Sequence, residues 1–260
     1  MRFSGVRIDR GERTVLQDVD LAIPAGSVTV IFGPSGAGKS TLLQAATGEL
    51  VADAGSVRVL GCELPLRHAA LFELRRSIGV LLQGSGLLSD LDVFENVALP
   101  LRTHTDLPEA LVQRIVHMKL NAVGLAGAAE LSPQQLSGGM IRRVALARAL
   151  VLDPPLMLYD EPLTGLDPIA IGVITSLIVG LNRTLGLTSV LVTHHIHESL
   201  EIADRVVVIA NRTIAFVGTR EELASSRDPL LAQFLEGKPD GPMGFDYERA
   251  QRREVARAAP

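Results

Sequence analysis

The 260-residue sequence has no tryptophan, a single cysteine and only 3% aromatic residues. Because Cys62 has no partner for an internal disulfide, a small scaffold stapled by disulfides is excluded. Since 47% of the residues are nevertheless hydrophobic, we expect a sizeable aliphatic core and exclude a globally disordered chain. No long apolar stretch of the signal-peptide kind follows Met1, and we therefore expect a cytosolic protein.

The sequence also lacks a basic excess and a long hydrophobic run. Lysine and arginine total 25 against 29 aspartate and glutamate residues, a net charge of −4. This leaves no basic field for a phosphate backbone, so we predict no nucleic-acid partner. The most apolar windows, residues 169–181 and 190–192, are shorter than the roughly 18 residues of a membrane span. If the protein works at a membrane, another chain is expected to cross it.

Hydrophobic patterning predicts an α/β fold. Short runs rich in β-branched residues indicate strands, and segments with helical spacing lie between them. The predicted strands are 15–23, 28–32, 78–82, 156–159, 189–193 and 206–210, and the predicted helices are 39–47, 107–123, 140–151, 168–185 and 197–203. Strands and helices that alternate in this way indicate a mostly parallel sheet.

The stretch from about 84 to 150 breaks this alternation, because it reads as helix and loop alone. We interpret it as a helical lobe inserted into the α/β body, with breaks expected at its prolines, Pro100, Pro108 and Pro133. Residues 1–237 would then form one domain. The regular pattern ends near residue 238, and we expect 238–260 to be a partly flexible C-terminal extension.

A phosphate-binding loop is predicted at residues 33–40, which fit the pattern G-x-x-x-x-G-K-[ST] between a predicted strand and a predicted helix. Its glycines allow backbone amides to approach a polyphosphate at the positive end of the helix. Lys39 is expected to neutralise the β and γ phosphates, and the Ser40 hydroxyl to ligate Mg²⁺. A Gly-rich turn without function is disfavoured by the flanking elements. The predicted nucleotide-binding residues here are Gly33, Pro34, Ser35, Gly36, Ala37, Gly38, Lys39, Ser40 and Thr41.

Two carboxylates end the apolar strand predicted at 156–159. An Asp-Glu pair at a strand end is usually a solvated turn, but a phosphate-binding loop elsewhere in the chain gives it a role. Asp160 is expected to hold the Mg²⁺ shell. Glu161 is expected to accept a proton from the attacking water, as a positioned carboxylate can.

Further motifs resemble those of ABC-type ATPases, in that family's order over residues 1 to 225. Residues 136–140, which contain Ser137, Gly138 and Gly139, resemble the signature loop. Gln83 resembles the glutamine of the Q-loop, Asp167 that of the D-loop, and His194 the switch histidine. The resemblance implies a phosphate-loop NTPase fold with a mostly parallel core sheet, an N-terminal antiparallel β subdomain and an inserted helical lobe. It also implies ATP as the nucleotide, Gln83 as a ligand of Mg²⁺, and His194 near the γ phosphate and the attacking water.

The signature loop would form an anion seat at the start of a helix without a phosphate of its own. In the resembling family this seat, formed by Ser137, Gly138 and Gly139 here, closes on the nucleotide held by the opposite subunit. A second copy of the chain is therefore an implied partner, with two ATP molecules between the copies. The resemblance assigns catalysis to Lys39, Gln83, Glu161 and His194, and nucleotide contacts to Asp167 as well.

The sequence departs from the family at two positions. Arg10 stands where an aromatic residue usually stacks on adenine, and its guanidinium plane could stack in the same way or be a solvated turn residue. His195 follows the switch histidine where Asp is common, and the sequence offers no account of that change. The histidines at 194, 195 and 197 also suggest a metal cluster, but no cysteine or carboxylate completes a zinc set at suitable spacing.

Over nearly the whole chain, to about residue 245, the sequence resembles the ATPase subunits of Mla (maintenance of lipid asymmetry) phospholipid transporters. The resemblance rests on residues 83–88, 94–101, 167–172 and 234–242 and on Met140. It implies a peripheral motor on the cytoplasmic face of a bacterial inner membrane. The implied partners are a transmembrane permease subunit, an Mce-domain lipid-binding protein and a small STAS-domain subunit.

Three alternatives remain at this point. The first is an ABC transporter ATPase for another substrate, such as a polar solute or a drug. The second is a soluble ABC protein that acts on ribosomes or DNA, which usually has two ATPase units or a long coiled-coil insertion. The third is a nucleotide sensor without turnover, which the presence of Lys39, Asp160, Glu161 and His194 disfavours.

Overall fold

A computed structural model of the chain describes residues 1–238 and 240–242. The strands are β1 Arg2–Arg10, β2 Arg13–Ala22, β3 Val28–Phe32, β4 Ala54–Val59, β5 Cys62–Leu64, β6 Ile78–Leu81, β7 Leu156–Asp160, β8 Thr188–Val192, β9 Arg205–Ala210 and β10 Thr213–Gly218. The helices are α1 Lys39–Ala46, α2 His68–Arg76, α3 Val93–His104, α4 Glu109–Ala122, α5 Gly138–Ala149, α6 Pro168–Leu185, α7 Ile196–Leu200, α8 Arg220–Ser225 and α9 Pro229–Glu236. A short 3-10 helix, Pro133–Gln135, precedes α5.

The strands form two sheets. An antiparallel sheet has the order β2-β1-β4-β5, and a larger sheet has the order β10-β9-β3-β8-β7-β6. The larger sheet is parallel except for the β9–β10 pair. The predicted α/β class, with a mostly parallel sheet and an N-terminal antiparallel part, is therefore confirmed.

The parallel order brings the predicted motifs to one edge of the sheet. Strands β3, β8, β7 and β6 are consecutive neighbours and run in the same direction, so their carboxyl ends lie together. The phosphate loop follows β3, His194 follows β8, Asp160 ends β7 and Gln83 follows β6. Ligands of open α/β sheets bind outside this edge.

Strand β3 is buried on both faces, as expected for the centre of such a sheet. Its side chains alternate between two cores because successive residues of a strand point to opposite faces. Val30 and Phe32 pack into a core shared with helices α3 to α6. Ile31 packs into a second core, shared with α1 and the antiparallel sheet.

Helices α3, α4 and α5 pack on one another within the stretch predicted as a helical lobe. The break predicted at Pro100 is wrong, because α3 continues through Pro100 to His104. Buried Val97, Ala98 and Leu101 anchor both halves of this helix in the core, and such packing overrides local helix propensity. Helix α5 begins at Gly138, two residues before the predicted start, since Ser137 caps it.

Helix α6 has the length and composition of a membrane-crossing helix, with 18 residues and a mean hydropathy of 1.5, whereas the sequence windows were predicted to be too short. The difference arises because the helix includes Asn182 and Arg183. Its inner face packs in the core through Ile171, Ile174 and Ile178, and buried Asn182 donates to the Leu187 carbonyl. Helix α6 therefore packs one face against the core, while Ile169 on it is exposed.

Of the predicted C-terminal extension, residue 239 and residues 243–260 lie outside the described residues. Helix α9 directly precedes the extension and ends at Gly237, whose φ of 63° is the left-handed conformation common after helices. Phe234 of this helix contacts Phe32 of the central strand, with ring centroids 6.4 Å apart.

Candidate functional site

The phosphate loop has the backbone that its glycines predict. Gly36 and Gly38 have φ angles of 75° and 97°, which disfavour any other residue. A Cβ atom at Gly33 would lie 2.4 Å from the carbonyl oxygen of Ile209, so no side chain fits there. Lys39 folds back over the loop, and its Nζ donates to the carbonyls of Gly33 and Pro34 at 2.8 and 3.1 Å. The loop is therefore preformed around the Lys39 ammonium group.

Electrostatics at Lys39 connect the loop to the end of β7. Burial lowers the pKa of the Lys39 ammonium, while the nearby carboxylates of Glu161 and Asp160 oppose that shift. Burial in the loop therefore disfavours the charged form of Lys39, and the two carboxylates favour it. Within the described residues the observed hydrogen bonds of Lys39 go to main-chain carbonyls, and a polyphosphate would add an anionic partner in direct contact.

Two of the three side chains predicted to hold Mg²⁺, those of Ser40 and Asp160, are in contact. Ser40 Oγ donates to Asp160 Oδ1 at 3.2 Å, although the residues lie 120 positions apart. Burial raises the pKa of the Asp160 carboxyl, against the hydrogen bond from Ser40. A hydroxyl and a carboxylate suit Mg²⁺, which takes oxygen ligands, so this pair fits the predicted ion. Gln83 is exposed, and within the described residues no hydrogen bond joins it to the pair.

Two side chains hold Glu161 through the same carboxylate oxygen. Its Oε2 lies 2.8 Å from His194 Nδ1 and accepts from Thr164 Oγ1 at 3.1 Å. Its backbone has a φ of 51° and is fixed by an N–H bond to the Val192 carbonyl at 2.9 Å. The Glu161 side chain is 12% exposed and that of His194 is 59% exposed. A buried carboxylate therefore meets a histidine that reaches solvent.

The ring of His195 packs against that of His194, the predicted switch histidine. The rings of His194 and His195 lie 4.6 Å apart, centroid to centroid, at 34°. The His195 amide donates to Thr193 Oγ1 at 3.0 Å, which fixes the start of α7. No group of three or more His, Cys, Asp or Glu residues suited to a metal ion is found in the described part of the chain. His195 thus contacts His194, and in the described part of the chain it belongs to no group of residues suited to a metal ion.

The signature and D-loop residues cap two neighbouring helices. Ser137 Oγ accepts from the Met140 amide at 3.3 Å at the start of α5. Asp167 Oδ1 accepts from the amides of Ile169 and Ala170 at the start of α6. A Cβ atom at Gly139 would lie 3.2 Å from Ala170 Cβ, so the two helix starts are in close contact. The side chains of Ser137 and Asp167 are exposed.

Arg10 lies beside the helix that begins at the phosphate loop. Its guanidinium donates to Gln44 Oε1 on α1, one helical turn beyond Ser40. Gln44 Nε2 in turn donates to Glu49 Oε1 at 3.1 Å. The exposed Arg10 side chain is thus tethered at the flank of α1 rather than extended freely into solvent.

Sequence reasoning missed several side chains that hold these loops. Arg142 and Arg148 of α5 donate to backbone carbonyls on either side of Gln83, and Thr164 donates to Glu161. Buried Asn96 donates to carbonyls of the segment after Gln83, including Leu88 and Leu91. Their acceptors are main-chain oxygens, except for the Glu161 carboxylate three residues before Thr164, and the residue pattern does not predict these contacts.

A phosphate loop after β3, a carboxylate pair at the end of β7 and an exposed loop that caps a helix together define an ATP-binding cassette. The chain belongs to the ABC transporter family, whose model matches residues 16–164. It is 48% identical over 239 residues to the intermembrane phospholipid transport system ATP-binding protein MlaF of Haemophilus influenzae, which covers 92% of this chain and 90% of the relative. The identity to MlaF of Escherichia coli K12 is 45% over 243 residues, or 93% and 90% of the two chains.

A solved structure supports the same fold. It is described as a dimeric post-hydrolysis state of the ATP-binding cassette MJ0796 bound to ADP and Pi. Its TM-score is 0.76 at 31% identity, and the match covers 84% of this chain and 98% of that chain. The resemblance to ABC-type ATPases inferred from the sequence is therefore confirmed.

Proposed function

We propose that this chain is the ATP-hydrolysing subunit of a bacterial inner-membrane transporter that moves phospholipids between the inner and outer membranes. The observation that carries the lipid assignment is the 48% identity, across 92% of the chain, to a phospholipid transport ATP-binding protein. The contact between Glu161 and His194 at the end of β7 supports hydrolysis rather than binding alone.

Nucleotide binding would use the preformed loop. Backbone amides of residues 35–40 and the Lys39 ammonium would hold the phosphates, and Lys39 would exchange its contacts with the loop carbonyls for phosphate oxygens. Ser40 and Asp160 would hold Mg²⁺, with Gln83 approaching from the end of β6. The ion, when bound, neutralises charge on the phosphate oxygens.

Hydrolysis would depend on how Glu161 is oriented. The two observed donors, from His194 and Thr164, both meet Oε2. The other oxygen, Oε1, then faces the attacking water and takes its proton as the water oxygen bonds to the γ phosphorus. The bond from that phosphorus to the β–γ bridging oxygen breaks in the same step, so ADP leaves and inorganic phosphate is formed. His194 is exposed enough to reach the γ phosphate from the same position, so one histidine orients both the base and the phosphate.

A complete site would need a second copy of the chain. Ser137 and the amides of Gly138 and Gly139 form an anion seat at the start of α5, and Ser137, Gly138 and Asp167 are exposed. The seat of one copy closes on the γ phosphate bound to Lys39 of the other. Two ATP molecules then lie between the copies, as the dimeric form of the MJ0796 cassette supports.

The proposed assembly places this subunit peripherally on the cytoplasmic face of the inner membrane. Residues 1–237 form the ATPase domain with its helical lobe at about 84–150, and residues 238–260 form the extension. Exposed Leu82, Leu88 and Leu99 flank the segment that follows Gln83, and this surface contacts the permease. An Mce-domain lipid-binding protein and a small STAS-domain subunit complete the complex.

The test is capture of the tagged chain from detergent-solubilised native membranes, followed by mass spectrometry of the proteins and lipids bound. The proposal predicts a permease, an Mce-domain protein and phospholipid, all absent from a mock capture with an unrelated tagged cytosolic protein. A permease with a different substrate-binding protein would replace the lipid assignment. Recovery of ribosomes or DNA would overturn the transport function.

A further inference from the structure

Arg142 of the signature helix α5 bridges two loops of the nucleotide site. It is only 7% exposed, and its Nη1 and Nη2 donate to the carbonyls of Leu82 and Thr164 at 3.2 and 3.3 Å. Leu82 directly precedes Gln83, and Thr164 follows Glu161 in the next loop. The planar guanidinium of Arg142 therefore fixes the spacing between the segment that contains Gln83 and the loop that contains Glu161.

The burial of this cation is energetically costly. Burial lowers the pKa of the Arg142 guanidinium, and within the described residues no carboxylate forms an ion pair with it. Main-chain oxygens are its observed acceptors. A methionine or leucine would fill the same space without the desolvation penalty, so stability alone does not explain an arginine here.

The bridge continues to the catalytic carboxylate. Thr164, whose carbonyl accepts from Arg142, donates through its own Oγ1 to Glu161 Oε2 at 3.1 Å. Helix α5 begins at Gly138 and is capped by Ser137. Together with Gly139, these residues form the proposed seat for the γ phosphate of a second copy. A single rigid helix thus links that seat to the hydrogen bonds that orient Glu161.

We propose that Arg142 is a positioning residue that couples the seating of the signature loop to the orientation of Glu161 and Gln83 in the same chain. When the seat of α5 engages the partner's nucleotide, the helix shifts and Arg142 moves the Leu82 and Thr164 carbonyls with it. Nucleotide binding at one site would thereby change the positions of Gln83 and Glu161 at the other site. This inference rests on the proposed ATPase function.

The adjacent arginine provides a matched control. Arg143 also donates to two main-chain carbonyls, those of Val123 and Gly124, at 3.3 and 3.2 Å. Those acceptors lie at the end of α4, away from Gln83 and Glu161. The two neighbours make the same kind of contact, but only that of Arg142 involves the nucleotide loops.

The experiment compares Arg142→Gln and Arg143→Gln for kcat, KM, ATP affinity and melting temperature. We expect Arg142→Gln to lower kcat by about 10- to 100-fold, as misplacement of catalytic groups does, with ATP affinity unchanged. Arg143→Gln should keep the wild-type kcat per folded molecule. Equal kcat in the two variants would overturn the proposal, whereas a wild-type chain without turnover would overturn the ATPase function itself.

A double-mutant cycle with Thr164→Val separates positioning from a structural role. If Arg142 acts through Thr164, the double variant should lose no more kcat than the more damaged single variant. Multiplicative losses would show independent roles and contradict the proposal. If Arg142→Gln does not fold, Arg142→Lys takes its place in the cycle, because it retains the charge but lacks the fork that spans both carbonyls.

Discussion

The imidazole Nδ1 of His194 lies 2.8 Å from Oε2 of Glu161. The contact exists because β7 and β8 are parallel neighbours whose carboxyl ends meet. Thr164 donates to the same oxygen, so both observed donors are on one side of the carboxylate. Glu161 is thereby fixed with Oε1 directed away from its protein donors, which is the arrangement a general base requires.

Replacement of Glu161 by glutamine should remove the base but preserve the shape of the site. We expect Glu161→Gln to lower the ATP turnover number by about 10²- to 10⁴-fold with little change in ATP affinity. Glu201→Gln, an exposed glutamate on the turn after α7, is the control and should behave as wild type. Turnover retained by Glu161→Gln would exclude Glu161 as the base.

The stack of His195 on His194 accounts for a residue that the sequence left unexplained. Loss of the His195 ring should let His194 rotate away from Glu161, since ring contacts contribute about 0.5–1.5 kcal/mol. We expect His195→Ala to lower turnover by about two- to tenfold and His195→Phe to restore it. His197→Ala, at an exposed position nearby, is the control. Equal turnover in the alanine and phenylalanine variants would contradict this role.

Arg10 is predicted to stack on the adenine base from its tethered position beside α1. A contact between a guanidinium and a ring contributes about 0.5–1 kcal/mol at an exposed site, so Arg10→Ala should weaken ATP binding by about two- to fivefold. Arg10→Tyr should restore it. Arg13→Ala, directly across the β1–β2 hairpin, is the control. Unchanged affinity in Arg10→Ala, by fluorescent-nucleotide titration, would remove the stacking role.

A substitution at Leu88 tests whether the exposed surface after Gln83 contacts the permease. Its side chain is 46% exposed, whereas Val93 in the same segment is fully buried. We therefore expect Leu88→Glu to abolish lipid transport in the reconstituted complex while basal ATPase and melting temperature are retained. Val93→Glu should instead prevent folding, because a carboxylate would enter the core. Leu111→Glu, exposed on α4, is the surface control. Normal transport by Leu88→Glu would refute the docking surface.

The sequence predicted the central sheet and its motifs well because their signals are local. The phosphate loop and the Asp160–Glu161 pair combine fixed spacing with flanking strands, and both lie where the pattern places them. Helix boundaries differ by a few residues where a cap decides them, as at Ser137. The break expected at Pro100 is wrong because core packing on both sides keeps α3 continuous.

Contacts between residues far apart in the chain could not be predicted from the sequence. The bonds from Arg142 to Leu82 and Thr164 join residues 60 and 22 positions apart, and their acceptors are main-chain oxygens common to every residue type. The stack of His194 on His195 depends on ring orientation rather than on spacing. Such positioning interactions depend on the assembled fold, and no local pattern encodes them.

Each hydrolytic site is proposed to combine the phosphate loop of one chain with the signature loop of a second copy. This pairing is tested by ATP turnover per subunit as a function of protein concentration, from well below to well above the range in which the copies associate. We expect a per-subunit rate that rises with concentration and then reaches a plateau, and Ser137→Arg should abolish this rise. A rate per subunit that stays constant across the whole range would contradict it.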